Sequence, residues 1–290
     1  MPWTLSEDLG EFVATAGPFL RARPVPNTLP LTIAQTLRVT GLHSYGEQAP
    51  LFGWWRHGGQ ASPGGPVAAA CLQTPPFPLV LSAGPPGAFG ELAAELAGAG
   101  RMLPGVNAAE QEAAEFVACW QRQAGVAAAV HQRHRLYRLH ALAPPQPAPP
   151  GRARPATTAD RGLVAAWLAE FHAEAGSLAE RDRAEQATAA ARTIDRGTLI
   201  IWEDGGAPVS MAGASRQVAG MARVGPVYTP PALRRRGYAG AATAAVTQAA
   251  LDAGAGEVLL FTDLANPVSN SIYQRLGYEP VQDHVLMAFS

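Results

Sequence analysis

Apolar positions along the chain fall into two kinds of stretch. Short runs rich in β-branched and aromatic residues, bounded by Gly and Pro, read as strands; stretches with apolar positions three and four apart, or rich in Ala, read as helices. In the first half, residues 6–16 read as a helix with Ser6 as N-cap and acids in its first turn. Residues 21–30 are a Pro-rich loop. Residues 31–39, 51–55, 67–72 and 78–82 read as strands separated by Gly/Pro turns, with 58–66 as a hairpin tip. Residues 89–99 and 108–124 read as helices, the second carrying Phe116, Val117 and Trp120 on one face. Residues 134–142 alternate as a closing strand does.

Residues 144–154, with their run of prolines, deny both helix and central strand and read as an extended linker. The expected layout is an accessory domain over 1–143 and a second domain over 155–290. In that second half, 157–159 end a first strand and Asp160 caps a helix running to Phe171. A helix over 180–196 is closed by Gly197. Residues 198–202 and 208–216 form a hairpin around Asp204-Gly205-Gly206, and 221–229 make the fourth strand. The first half repeats this order distantly, so it reads either as a degenerate copy or as an unrelated α+β domain.

The most informative stretch runs from Val224 to Gly240. A strand ends at Pro230-Pro231, then Arg234-Arg235-Arg236-Gly237-Tyr238-Ala239 leads into an Ala-rich helix reaching Ala253. The first N–H groups of a helix lack intrahelical partners and carry partial positive charge, so such a turn suits an anion. Gly237 lets a phosphate approach the backbone, and the arginines add attraction. Arg234-x-x-Gly237-x-Ala239 resembles the Q/R-x-x-G-x-G/A phosphate loop of the GNAT superfamily of acyl-CoA-dependent N-acyltransferases. After a second apolar strand, 257–263, the run Asn266-Pro267-Val268-Ser269 to Tyr273 and Gly277-Tyr278 resembles the other half of that family's signature. The resemblance covers about residues 155–290.

It implies an α/β fold with a mixed, mostly antiparallel sheet flanked by helices, and acetyl-CoA as co-substrate without a metal. Val227, Tyr228 and Thr229 are then the backbone groups for the pantetheine arm. Arg234, Arg235, Arg236, Gly237, Tyr238, Ala239 and Gly240 serve the pyrophosphate, and Asn266 the pantetheine amides. Tyr273 aligns with the general acid that protonates the CoA thiolate, a role suited to a phenol with its ordinary pKa near 10. Many relatives carry a glutamate on the fourth strand, but 221–229 contains no acid. A water relayed through backbone carbonyls, or an amine arriving neutral, is expected in its place. His172, Glu174 and Asp263 are the lesser candidates, the first two more in keeping with a surface role and Asp263 with a turn. Phe171 and Glu174 are on the expected acceptor side, in the loop 171–180. In the first half, Pro86-Gly87-Ala88-Phe89-Gly90-Glu91 lacks the arginines and brings an acid, so a GNAT-like first half is expected to have lost the cofactor.

Composition narrows the function classes. A chain of 290 residues with 48% hydrophobic and 16% charged content is long enough for two cored domains. The formal net charge of −1 gives no basic field for nucleic acid or membrane. No apolar run is long enough to span a bilayer, and the N-terminus lacks a basic signal-peptide region, so the cytoplasm is the expected compartment. Cys71 and Cys119 are far apart and fit buried thiols rather than a disulfide framework, a zinc site or an acyl carrier. The expected activity is N-acetyl transfer to a primary amine of a small molecule, amino acid or peptide, in a ternary complex, by a monomer or homodimer. The likeness of Gly225 to Pro231 to the glycine-N-acyltransferase-like branch points to a small amine. The alternative is a non-catalytic acyl-CoA-binding sensor or scaffold.

Overall fold

The computed structural model describes residues 3–57, 65–176 and 183–290, with backbone alone for 183–186. Most of the expected hairpin tip 58–66, the start of the helix expected at 180–196 and the end of the acceptor loop 171–180 lie outside these residues. Contacts divide the chain into two units. The first is Met1–Leu136 with Val281–Ser290, and the second is Tyr137–Pro280.

Unit 1 runs β1 (Trp3–Ser6), α1 (Leu9–Thr15), α2 (Gly17–Ala22), α3 (Thr28–Thr40), β2 (Leu51–Arg56), β3 (Val67–Gln73), β4 (Leu79–Leu81), α4 (Ala88–Gly98), β5 (Gly105–Ala109), α5 (Glu110–Ala124) and β6 (Ala128–Leu139). The rest of the chain runs β7 (Arg152–Pro155), α6 (Arg161–Glu174), α7 (Arg183–Asp195), β8 (Leu199–Asp204), β9 (Ala207–Ala214), β10 (Met221–Tyr228), α8 (Tyr238–Asp252), β11 (Glu257–Asp263), α9 (Pro267–Arg275) and β12 (Tyr278–Phe289), whose residues from Val281 on belong to unit 1. Both follow the order strand, helices, three strands, helix, strand, helix, strand. Within unit 1 the sheet order is β1-β2-β3-β4-β5-β12, and within unit 2 it is β7-β8-β9-β10-β11. Neighbours pair antiparallel except β4 with β5 and β10 with β11. The fold is thus mixed α/β, with mostly antiparallel sheet flanked by helices. The last ten residues of the chain belong to unit 1, where His284 to Ala288 pair with β5.

Four local expectations need correction. Of the expected Pro-rich loop 21–30, residues 21–22 lie in α2 and 28–30 in α3. Residues 31–39 lie in a helix, α3, with Leu31, Ala34 and Leu37 buried at helical spacing. The β-branched content that reads as strand is accommodated because threonine hydroxyls donate to carbonyls one turn back. Thr32, Thr36 and Thr40 bond to Thr28, Thr32 and Thr36 at 2.7, 2.9 and 2.8 Å. The first helix is capped by Asp8, whose carboxylate accepts from the Glu11 N–H at 3.0 Å, while Ser6 ends β1. The first strand of the second half is Arg152–Pro155, at the end of the Pro-rich stretch; 158–160 form a 3₁₀ turn instead.

The Pro-rich stretch itself falls within unit 2. Trp202 Nε1 donates to the Pro150 carbonyl at 2.9 Å, just before β7 joins the edge of the sheet. Unit 2 buries two apolar layers, because successive residues of a strand face opposite sides. Met211 packs with Val164, Trp167 and Leu168 of α6, whereas Ala212 packs with Ala242 and Val246 of α8 and Tyr273 of α9. In unit 1, Phe89, Leu92, Phe116 and Trp120 form the core between α4 and α5. Among the described residues no helix is long and apolar enough to cross a membrane.

Candidate functional site

The candidate residues are carried by β10, the turn after it, β11 and the helices α6, α8 and α9. The parallel neighbours β10 and β11 pair from Met221↔Glu257 to Val224↔Leu260 and no further, although β10 continues to Tyr228 and β11 to Asp263. A register shift against β9 between Val224 and Val227 marks the same point. Strands that diverge leave backbone groups open along the gap. The expected groups at Val227, Tyr228 and Thr229 all lie on this stretch. Two carbonyls there are already engaged. Ser210 Oγ donates to the Tyr228 carbonyl at 2.9 Å, and Arg234 Nε donates to that of Thr229 at 2.9 Å.

Beyond the strand, Pro231–Leu233 make a 3₁₀ turn and Arg235 and Gly237 take left-handed conformations, with φ of 64° and 85°. Gly237 precedes α8 without a side-chain cap. Among the described residues no hydrogen bond engages the N–H groups of residues 235–240. Successive N–H groups on alternating backbone conformations form a concave anion nest, here at the positive end of α8. A Cβ on Gly237 would lie 3.4 Å from Pro149, and its φ is one that only Gly adopts without strain.

The three arginines differ. Arg235 is exposed and has no partner among the described residues, which leaves it available to an anion. Arg236 approaches the Tyr238 hydroxyl, which itself donates to Asp204 Oδ2 at 2.5 Å and so ties the first turn of α8 to β8. Arg234 is committed elsewhere. Its Nη2 reaches both oxygens of Glu174, at 2.6 and 2.7 Å, and its guanidinium lies 5.8 Å from the centre of the Tyr228 ring.

Asn266 caps α9, accepting from the Ser269 N–H at 3.0 Å through Oδ1, so only its amide N–H₂ remains to donate. Tyr273 projects from α9 into the core with its ring edge-on to Tyr278, 6.3 Å between centres. It is 9% exposed, and burial pushes its phenol up to about 12. Among the described residues its hydroxyl has no hydrogen-bond partner. It is protonated at neutral pH and free to donate. Asp263 is a turn residue, its carboxylate accepting from the Ala265 N–H at 2.8 Å.

The other side of β10 faces α6. Tyr228 donates to Glu170 Oε2 at 2.5 Å; burial, then the bond to Glu170, push its phenol up to about 12. Trp167 lies beside the same ring, 6.2 Å between centres. Glu170 and Glu174 occupy one face of α6, four residues apart. Phe171 is half-buried against the α6–α7 core and edge-on to His172. Sequence reasoning named Glu174 and missed Glu170, although the four-residue spacing was the available signal.

Residues 163–278 match the model of the Acetyltransferase (GNAT) family. That stretch is similar to a GNAT acetyltransferase domain. The chain is similar in fold, over nearly its whole length, to several solved proteins. A GNAT-family acetyltransferase from Colwellia psychrerythraea is 13% identical, with 100% of this chain and 99% of that one covered and a TM-score of 0.59. A GCN5-related N-acetyltransferase from Sphaerobacter thermophilus gives 16%, 99%, 95% and 0.61. A Drosophila protein gives 14%, 100%, 98% and 0.65. No curated protein matches the chain. The GNAT family uses acetyl-CoA, and the parted strands, open N–H turn, free Asn266 amide and free Tyr273 hydroxyl of this domain fit such a donor. Among the described residues no group of three His, Cys, Asp or Glu side chains is placed to hold a metal ion.

Proposed function

We propose that the GNAT-like domain transfers an acetyl group from acetyl-CoA to a primary amine of a small molecule, amino acid or peptide, directly, with both bound at once. The observation that carries this reading is the conjunction around β10. An uncapped anion-binding turn follows the parted end of β10, and an unpartnered phenol, Tyr273, lies in the same core cluster as Val224. The thioester supplies the acyl group; the residues bind, orient and move protons. The N–H groups of 235–240 and the Arg235 guanidinium hold the diphosphate. Val227–Thr229 and the Asn266 amide align the arm, and Tyr273 donates its proton to the departing sulfur.

On the acceptor side, Glu170 takes the place of the acid that β10 lacks. It accepts the ammonium proton directly or through the Tyr228 hydroxyl that it holds at 2.5 Å. Two carboxylates against one guanidinium leave this end negative, which favours a cationic amine. Direct transfer is supported by the cysteines, since both are buried in unit 1 and burial pushes the Cys71 thiol up. The absence of an acid on β10 favours one second reading, a module that binds acyl-CoA without turning it over.

Release of free CoA thiol from acetyl-CoA across a panel of primary amines separates the two. Catalysis predicts amine-dependent release that falls about 10²-fold in kcat for Tyr273→Phe, with acetyl-CoA affinity retained. Binding without release for any amine would establish the non-catalytic module instead.

A further inference from the structure

Both units build the same junction where a parallel strand pair meets a helix. Gly87 precedes α4 with φ 92° and ψ −26°, as Gly237 precedes α8 with φ 85° and ψ −7°. Another glycine follows three residues later in each case, Gly90 and Gly240. In unit 2 the N–H groups of this turn are open. In unit 1 they are filled from within. The carboxylate of Glu115, on α5, accepts from the N–H of Gly87 at 3.1 Å, of Phe89 at 2.7 Å and of Gly90 at 2.8 Å. Glu91, the acid that the sequence brings to this turn, does something else: it accepts from Trp55 Nε1 at 3.0 Å.

The correspondence extends to the next helix. Because α5 starts at Glu110 and α9 at Pro267, Glu115 and Ile272 stand at the same place in their helices. A Cβ on Gly90 would lie 3.7 Å from Glu115 Oε1, and one on Gly240 would lie 3.7 Å from Ile272 Cγ2. The following residue is Tyr273 in unit 2 and the fully buried Phe116, which has no hydroxyl, in unit 1. The helix cap is Asn266 in one and Ala109 in the other. Gly84-Pro85-Pro86 stands where unit 2 has its three arginines.

We propose that Glu115 is a built-in anion that closes the donor site of unit 1 from inside, so that each chain takes up a single acyl-CoA, in unit 2. A carboxylate on three N–H groups at a helix N-terminus makes charge-assisted bonds of the kind a phosphate would make. Being tethered, it competes at an effective concentration of roughly millimolar or more, which free acyl-CoA does not outmatch. The stoichiometric part rests on the acyl-CoA reading given above; the occupancy of the turn by Glu115 does not.

Three measurements test this. Calorimetric titration of the wild type with acetyl-CoA should give one site per chain. Two sites would overturn the proposal, and none would overturn the acyl-CoA reading while leaving the second measurement to decide. That second measurement is thermal unfolding of Glu115→Ala with inorganic pyrophosphate as the probe. The variant should lose roughly 2–8 °C and regain part of it with pyrophosphate, beyond the shift shown by the wild type. Equal responses of variant and wild type would show that Glu115 fills no anion site. The third measurement needs no change in unit 1. Ile272→Glu places the same carboxylate against the α8 turn and should weaken acetyl-CoA binding at least tenfold in a folded protein; unchanged affinity would contradict the occlusion geometry.

Discussion

Asp160 is a buried carboxylate that accepts from both terminal nitrogens of Arg154, at 2.8 Å each, and from the Thr157 N–H at 2.7 Å. Arg154 also reaches Glu203 on β8 at 2.5 Å, so one cluster fixes β7, the start of α6 and β8. The guanidinium holds the Asp160 carboxyl down at about 2, below its ordinary 3.8. A folded-state value below the unfolded one means stability that is present above pH 4 and lost as pH falls from about 4 to about 2. That difference corresponds to about 2 kcal/mol. Urea unfolding of Asp160→Asn should show a deficit of that order at pH 7, shrinking steadily at lower pH; a deficit independent of pH would contradict the account. Some residue-scale features were legible in the sequence. Gly237 was, because a turn between a Pro-terminated strand and a helix demands a residue tolerant of positive φ. The allegiance of Arg234 was not. A long side chain chooses among anionic partners by tertiary placement, and here Glu174 and the Thr229 carbonyl claim it before any phosphate does.

At the scale of elements, the β10–turn–α8 segment was readable because its pattern switches from strand to helix across prolines and a glycine. Helix α3 was not, because its threonines and leucines satisfy a strand composition while their burial follows the helical period. Helix α6 was readable as a helix, yet its functional face was hidden. The strand-end tyrosine that Glu170 bonds is 58 residues away along the chain. If Glu170 is the proton acceptor, Glu170→Gln should lower kcat/KM for the amine about 10²-fold. Acetyl-CoA affinity should stay within a few-fold of wild type. Loss of acetyl-CoA affinity in step with the loss of kcat/KM would place Glu170 in a structural role instead.

For the whole molecule, the repeated order of elements was faintly visible in the sequence, and the shared Gly87/Gly237 and Gly90/Gly240 geometry gives it a residue-level basis. The destination of the last strand was invisible. His284 to Ala288 pair with residues 105–109, a contact across most of the chain that no local pattern encodes. The two units differ where an acyl donor would bind. Unit 2 leaves its turn open, whereas unit 1 seals the corresponding turn with Glu115. The central claim is that residues 235–240 and the parted strands of unit 2 hold the acyl donor. It is tested most directly by calorimetric titration of acetyl-CoA into the wild type and Ala239→Glu. An acid in the first turn of a helix favours the helix itself by about 0.3–1 kcal/mol, so this variant should fold at least as stably as wild type. Its carboxylate should nevertheless repel the diphosphate. Saturable binding in the wild type that weakens at least tenfold in a fully folded Ala239→Glu is the predicted result. Absence of binding in the wild type, or equal affinity in the two proteins, would contradict it.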